Sequence, residues 1–418
     1  MSRIFNPLIL PNGQVFENRL CKAAMEENMA EPGQIPGEAL VNLYTVWGEG
    51  APGLILTGNV MVDPKALTGP GGVVLQKGTL DEGDNRARFE RWSAIAKAHG
   101  SKVWMQISHP GRQVYASQGT EAVSASATKV SMEGAEKMFA TARALTGAEI
   151  KTMVARFADT AAAAESCGFD GVEIHGAHGY LVAQFLSPLT NKRGDEWGGP
   201  LENRARFLLE IVRAVRARVS DGFGVGVKLN SADFQKGGFD VDDARRVVEM
   251  LNAEDVDLVE LSGGSYESAA MMGMADDERL SSTAAREMYF LEFAADIAKT
   301  AHMPIMVTGG VTKKVTAEEA LASRSVDMIG IARAFAYAPK LPKDWAADGE
   351  RVALPKVKFK NKLLAALGMM SLTKTQLHRM ADGKAPKPKA NAVLSIINDR
   401  LRLSKKTRLY KAWLRQQS

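Results

Sequence analysis

Cysteine is nearly absent from this 418-residue chain: only Cys21 and Cys167 occur, far apart and outside any C-x-x-C spacing. That excludes a disulfide framework, a four-cysteine zinc site and a cysteine-ligated iron–sulfur cluster, so any redox chemistry must come from an organic cofactor. Long apolar runs are also missing; none approaches the roughly 18 to 20 residues needed to cross a bilayer. The opening Met-Ser-Arg-Ile-Phe-Asn-Pro-Leu lacks an apolar stretch of signal-peptide length, so a cytoplasmic location is expected. Aromatic residues make up only 7%, and without a recognised nucleic-acid motif no nucleic-acid partner is expected. There is no internal repeat of 20 to 50 residues, which removes solenoids and propellers.

What is there is the composition of a globular protein, 45% hydrophobic and 24% charged, able to bury a sizeable core. The net charge of +5 is unevenly spread: residues 355–418 hold 16 Lys and Arg against Asp382 and Asp399, while the other 354 residues hold 37 basic and 46 acidic ones. Eight short apolar runs recur, at Leu20–Met25, Leu54–Thr57, Val103–Gln106, Gly171–His175, Val225–Lys228, Asp257–Leu261, Pro304–Val307 and Asp327–Ile331. Amphipathic stretches such as Asn85–His99, Thr152–Cys167, Asn203–Val219 and Asp242–Asn252 lie between them. Strands too apolar for a half-exposed sheet, separated by crossover helices, pair in parallel, and eight such units predict an α/β fold, a (β/α)8 TIM barrel. Excursions at about 110–145 and 262–290 follow strands and belong on the C-terminal face. Beyond Trp345 the rhythm stops. Residues 1–350 are expected to form the barrel domain and 351–418 a basic helical tail, with helices near 360–381 and 391–415 joined by a Pro/Lys-rich linker.

The unusual polar residues fall at the C-terminal ends of the predicted strands. Gln106 ends the third, His175 the fourth and Lys228 the fifth, Gly309-Gly310 follows the seventh and Ala332-Arg333 the eighth. In a parallel barrel these ends share one mouth. The Gly-Gly turn with Arg333 fits the phosphate site this fold builds there. His175 and His178 admit three readings: metal ligands lacking a recognised spacing, structural imidazoles, or neutral donors to a carbonyl or anionic oxygen. Tyr180 supplies a phenol able to deliver a proton.

Residues 171–207, containing His175-Gly-Ala-His-Gly-Tyr180 and Asn191-Lys-Arg-Gly-Asp-Glu-Trp-Gly-Gly-Pro200, resemble the signature segment of the Old Yellow Enzyme family of FMN-dependent ene-reductases. Asn18-Arg-Leu20, His109-Pro-Gly-Arg112 and Gly330-Ile-Ala-Arg333 extend the similarity from about residue 4 to Trp345. The resemblance implies FMN as cofactor and NADH or NADPH as reductant, in a ping-pong reduction of activated alkenes. It places Ala23, Ala24, Met25, Gly58 and Asn59 along the flavin, Gln106 and Lys228 at its pyrimidine edge, and Gly309, Gly310, Ala332 and Arg333 at its phosphate. It makes His175 and His178 the pair that binds the substrate oxygen, with His175 also touching the cofactor, and Tyr180 the proton donor.

The chain departs from that pattern at Glu26, where relatives carry Thr or Cys near the flavin C4 oxygen. A carboxylate there predicts a lower flavin potential. Asn28 stands where some relatives place a tyrosine, so Glu26 and Asn28 are expected to reshape the substrate rim. Other reactions on the same barrel, NADH oxidation, nitro-compound reduction or another flavin dehydrogenation, are compatible with these residues, and a metal-dependent barrel lyase is the reading from a different class. The expected partner is a small-molecule substrate. For the tail, the readings are a solvated surface, an arm onto a neighbouring subunit, or attachment to an anionic membrane surface.

Overall fold

The structure, a computed structural model, describes residues 2–130, 137–262 and 293–416. All eight expected strands are present: β1 (Leu20–Lys22), β2 (Leu54–Leu56), β3 (Lys102–Ser108), β4 (Gly171–Gly176), β5 (Gly224–Asn230), β6 (Leu258–Ser262), β7 (Ile305–Thr308) and β8 (Met328–Ile331). Each pairs in parallel with the next, and β8 returns to β1, closing the barrel. β1 is shorter than expected: beyond Lys22 the chain leaves the ladder, although the Ala23 N–H still donates to the Ile331 carbonyl at 3.0 Å. Of the two excursions, the first carries a small parallel pair, Ala122–Ser124 with Ala142–Ala144. The second falls almost wholly on residues 263–292, outside the described ones.

The crossover helices include α1 (Glu38–Gly48), α2 (Asn85–Lys97), α3 (Gly147–Ser166), α4 (Leu201–Arg216), α5 (Val241–Leu251), α6 (Lys314–Ala322) and the short α7 (Arg333–Tyr337). Their starts are local chemistry. Thr146 accepts the Glu149 N–H while the Glu149 carboxylate accepts the Thr146 N–H, a capping box that opens α3. Asp240 caps α5 in the same way through the Asp243 N–H. α4 turns Leu201, Ala205, Leu208, Ile211, Val212 and Val215 inward at helical spacing, and they join the main core against α3 and the strands.

Strand register explains why chemistry sits at one end of the barrel. The lower interior is apolar, built from Cys21, Leu54, Leu56, Trp104, Leu258, Met306 and Met328 and closed by Phe16 of an N-terminal hairpin. Trp104 fills it because β4 and β5 offer glycines: a Cβ on Gly224 would lie 2.1 Å from Trp104 Cζ2, and one on Gly171 2.6 Å from Cε2. Two residues further along the same inward-facing rows, Trp104 gives way to Gln106, Leu258 to Glu260 and Met306 to Thr308, while β4 and β5 place Glu173 beside Gln106 and Lys228 beside Glu260. One step of the pleat converts a dry core into a charged floor.

The tail forms two helices close to the expected spans, α8 (Lys362–Ala381) and α9 (Ala392–Leu414), capped by Asn361 and Asn391. They pack against each other and onto the barrel of their own chain. Asn42 of α1 donates to the Ala381 carbonyl at 3.0 Å. Tyr410 is fully buried among Met61, Leu67 and Val74, and its hydroxyl donates to the Pro64 carbonyl at 2.7 Å. Burying an aromatic ring with its hydroxyl satisfied contributes on the order of 2 kcal/mol to that docking. Among the described residues no helix is long and apolar enough to cross a membrane.

Candidate active site at the barrel mouth

A cavity of about 420 Å³ opens at the C-terminal ends of the strands, within the range typical of small-molecule and cofactor sites. Most residues singled out from the sequence line it: Ala24, Met25 and Glu26 after β1, Asn59 after β2, Gln106, His175, His178 and Tyr180, Lys228, Gly309 and Gly310, and Ala332 and Arg333. Three do not. Ala23 is buried in the core behind the wall. Gly58 faces away, donating its N–H to Glu27 Oε1 at 3.1 Å; a Cβ there would strike the Glu27 carboxylate at 2.1 Å. Asn28, in the left-handed region with φ of 56°, instead accepts a 2.8 Å hydrogen bond from Lys374, itself a wall residue.

The floor is a buried charge network. Lys228 is ion-paired with Glu260, and the two sit opposite each other in the β5–β6 ladder. Gln106 Nε2 donates to Glu173 Oε2 at 2.6 Å. Burial pushes the Glu173 carboxyl well above the ordinary range, and the neighbouring Glu260 charge pushes it further. Burial also works against ionised Glu260, but Lys228 overcomes it and holds Glu260 below its usual value. Burial disfavours the Lys228 ammonium; Glu260 and Glu173 outweigh that and raise its pKa. The floor is therefore a fixed cation beside one carboxyl held toward its ionised form and a second biased toward its protonated form.

Above it, His175 and His178 pack edge-to-face with ring centroids 5.1 Å apart, and the Tyr180 ring lies 4.8 Å from that of His175. Both imidazoles are held neutral. Burial, helped by His178 and Lys228, pulls His175 well below the usual value, and burial with Lys228 takes His178 down to about 3. The Ala177 N–H donates to His175 Nδ1 at 3.2 Å, so a neutral His175 carries its proton on Nε2 and offers it as a donor. His178, at φ of 60°, is fixed by its N–H donating to Asn230 Oδ1 at 3.1 Å and by Nε2 lying 2.9 Å from Ser262 Oγ.

Two groups of site residues escaped the sequence reading. Glu173 and Glu260 were visible as lone acids inside apolar runs, and period-two alternation from His175 turns Glu173 inward. Ala366, Met369, Met370, Thr373, Lys374 and Leu377 of α8 form a wall of the cavity, and nothing in a basic amphipathic stretch announces that.

Residues 3–349 match the NADH:flavin oxidoreductase / NADH oxidase family. The chain belongs to that family. It is 35% identical to an NADH-dependent flavin oxidoreductase of Hypocrea jecorina over 81% of this chain and 87% of that one. It is 38% identical to another of Aspergillus parasiticus over 78% and 74%. Among solved structures it superposes on the old yellow enzyme homologue from Zymomonas mobilis with a TM-score of 0.70 at 23% identity, over 87% of this chain and 98% of that one. As a member of this family the protein is a flavin oxidoreductase that uses FMN and a nicotinamide reductant. The mouth fits that cofactor. Asn59 Oδ1 is buried in the wall with no hydrogen-bond partner among the described residues, an acceptor suited to a flavin or ribityl donor. Lys228 supplies a cation of the kind that stabilises the negative charge of a reduced flavin, and Gly310, at φ of 66°, with Arg333 offers backbone and guanidinium donors of the kind a phosphate takes.

Proposed function

We propose that the enzyme reduces activated alkenes, enones above all, with NADH or NADPH as electron source. The observation that carries this reading is the neutral imidazole pair beside Tyr180, directly over the Lys228–Glu260 floor. FMN, when bound, supplies the hydride it has taken from the nicotinamide. His175 and His178 donate hydrogen bonds to the acceptor's carbonyl oxygen and stabilise the enolate charge that develops there. Being neutral, they do so without surrendering a proton to it. Tyr180 delivers the proton to the α-carbon, which completes reduction of the C=C bond. In this reading Gln106 and Asn59 contact the flavin ring, and Gly309, Gly310, Ala332 and Arg333, which line the same cavity, hold its phosphate.

The test is a pair of anaerobic half-reactions. Enzyme-bound flavin is reduced with NADH or NADPH, then mixed with 2-cyclohexenone, a nitro compound or oxygen. Reoxidation by the enone faster than by air-saturated buffer is expected. Reoxidation by oxygen alone would instead make the protein act as the Thermoanaerobacter brockii relative is named, an NADH oxidase, to which it is 30% identical.

Glu26 tunes the same flavin. Its carboxylate lines the cavity and accepts a hydrogen bond from the Thr68 hydroxyl. Negative charge beside a ring that gains electrons disfavours reduction, so Glu26→Thr is expected to raise the two-electron midpoint potential by on the order of 30 mV, the equivalent of ~1.4 kcal/mol. A spectroelectrochemical titration checks this; an unchanged potential means that the carboxylate does not face the ring.

A further inference from the structure

The family match ends at residue 349, yet the cavity wall continues into α8. Ala366, Met369, Met370 and Leu377 give that wall an apolar surface, extended by Leu354. Met370 is 42% exposed, an unbranched thioether at the rim that can repack against different apolar bodies. Thr373 and Lys374 break this surface with a hydroxyl and an ammonium.

Lys374 differs from the other cations at the mouth. Lys228 is ion-paired with Glu260 in the floor. Lys374 donates to the neutral amide oxygen of Asn28, and no carboxylate pairs with it among the described residues. The tail has only two acids, and both are engaged elsewhere: Asp382 pairs with Lys384 at 3.3 Å, and Asp399 accepts from Ser371 at 3.3 Å. Further cations lie behind Lys374. Lys406 donates to the Ala30 carbonyl, another neutral acceptor, and Arg402 Nη1 is buried with no hydrogen-bond partner among the described residues. Their combined field is felt at His378, which burial, then Arg402 and Lys374, lower to about 4. Among the described residues the cavity lining thus carries Lys374, Lys228 and Arg333 against the one carboxylate of Glu26, with Arg402 and Lys406 near Lys374. Such a rim favours an anion.

Building on the alkene-reductase reading, we propose that α8 is the substrate-recognition element of this enzyme: its methionine and leucine side chains hold the apolar body of the electron acceptor, and Lys374 pairs with a carboxylate on it. The preferred substrates are then apolar unsaturated carbonyl compounds bearing an acidic group some distance from the alkene, and Asn28 acts as a positioning residue that aims the ammonium. A lysine–carboxylate contact in a half-buried rim is expected to strengthen binding about tenfold, or ~1.4 kcal/mol.

The experiment measures binding to the oxidised holoenzyme by calorimetry, with phenol and 4-hydroxybenzoate as probes that differ by one carboxylate. In wild type 4-hydroxybenzoate is expected to bind about tenfold tighter than phenol. In Lys374→Met that ratio is expected to fall to about one, and in Lys374→Arg, which keeps the cation, to persist. Equal affinity of the two probes in wild type, or a ratio that Lys374→Met leaves intact, overturns the proposal. The dinucleotide phosphates are the other anionic candidates, so stopped-flow reduction by NADH and NADPH is followed in the same variants. If the concentration dependence of that step weakens about tenfold in Lys374→Met while the probe ratio stays unchanged, Lys374 serves the reductant and the proposal is overturned. None of these readouts requires an enone to turn over, so failure of the alkene-reductase reading shows up separately, in the reoxidation experiment.

Discussion

Lys228→Met should cost about 3 to 5 kcal/mol of folding stability at neutral pH, the usual penalty for removing one member of a buried ion pair. The loss comes less from the missing lysine than from what it leaves behind. Glu260 is fully buried, and Lys228 opposes the burial that would raise its pKa; Glu173, itself pushed above the ordinary carboxyl range, offers no replacement cation. The sign of the pH dependence follows. In wild type the lowered pKa of Glu260 contributes stability that is present above the unfolded value of about 4.5 and fades as the pH falls through the folded one. Without Lys228 burial dominates and the Glu260 pKa rises, so the variant is penalised at pH 7 and relieved as acid protonates the carboxyl. The difference between wild type and Lys228→Met in urea midpoint should therefore narrow from pH 7 to pH 5, and Lys228→Met with Glu260→Gln should regain much of the lost stability. That double variant recovers the fold without recovering the cation, so it should retain weak FMN affinity. A single variant as stable as wild type at pH 7 would mean that the pair is solvated rather than buried.

The same floor shows what could be read from the chain and what could not. The eight strands were legible because a parallel barrel buries both faces of each strand, which leaves continuous apolar runs, and because three of those runs end on residues unsuited to a core: Gln106, His175 and Lys228. The tail helices were legible from the Pro/Lys-rich linker between them; the Asn361 and Asn391 caps appear only in the structure. Ala23 and Gly58 were placed along the flavin by resemblance alone, and their side-chain directions do not reach the cavity: a Cβ at Gly58 would point at Glu27, and Ala23 is buried. Glu27 shows the limit clearly. It sits beside Glu26 in sequence, yet it is buried, accepts a 2.6 Å hydrogen bond from the Tyr44 hydroxyl, and its pKa is raised by burial, with Lys22 opposing. One residue lines the cavity and the next supports the wall from behind. No local pattern distinguishes two adjacent glutamates; that requires α1, which brings Tyr44. The docking of α8 is a long-range fact of the same kind, resting on its packing against α1 and α7 and on the Asn42 amide that donates to the Ala381 carbonyl.

The largest effect on turnover is expected from the imidazole pair. Removing one preorganised donor to a developing oxyanion slows the chemical step about 10²- to 10³-fold. His175→Ala and His178→Ala should each slow reoxidation of reduced enzyme by 2-cyclohexenone within that range. The double variant should fall short of the product of the two, because the rings touch and share one acceptor oxygen. Asparagine at either position keeps an N–H donor and should recover part of the rate. The pH profile separates this role from a proton-transfer role. With His178 taken down to about 3 and His175 also well below its usual value, neither ring gains a proton between pH 8 and pH 5. The rate of enone reduction should then show no break near 6.5, where an ordinary histidine titrates. A break there that vanishes in His178→Ala would mean an imidazolium donates the proton, displacing Tyr180 from that task. Binding of a phenol supplies an independent readout: two neutral donors over an oxidised flavin should stabilise the phenolate and produce a long-wavelength charge-transfer band, and the alanine variants should lose it.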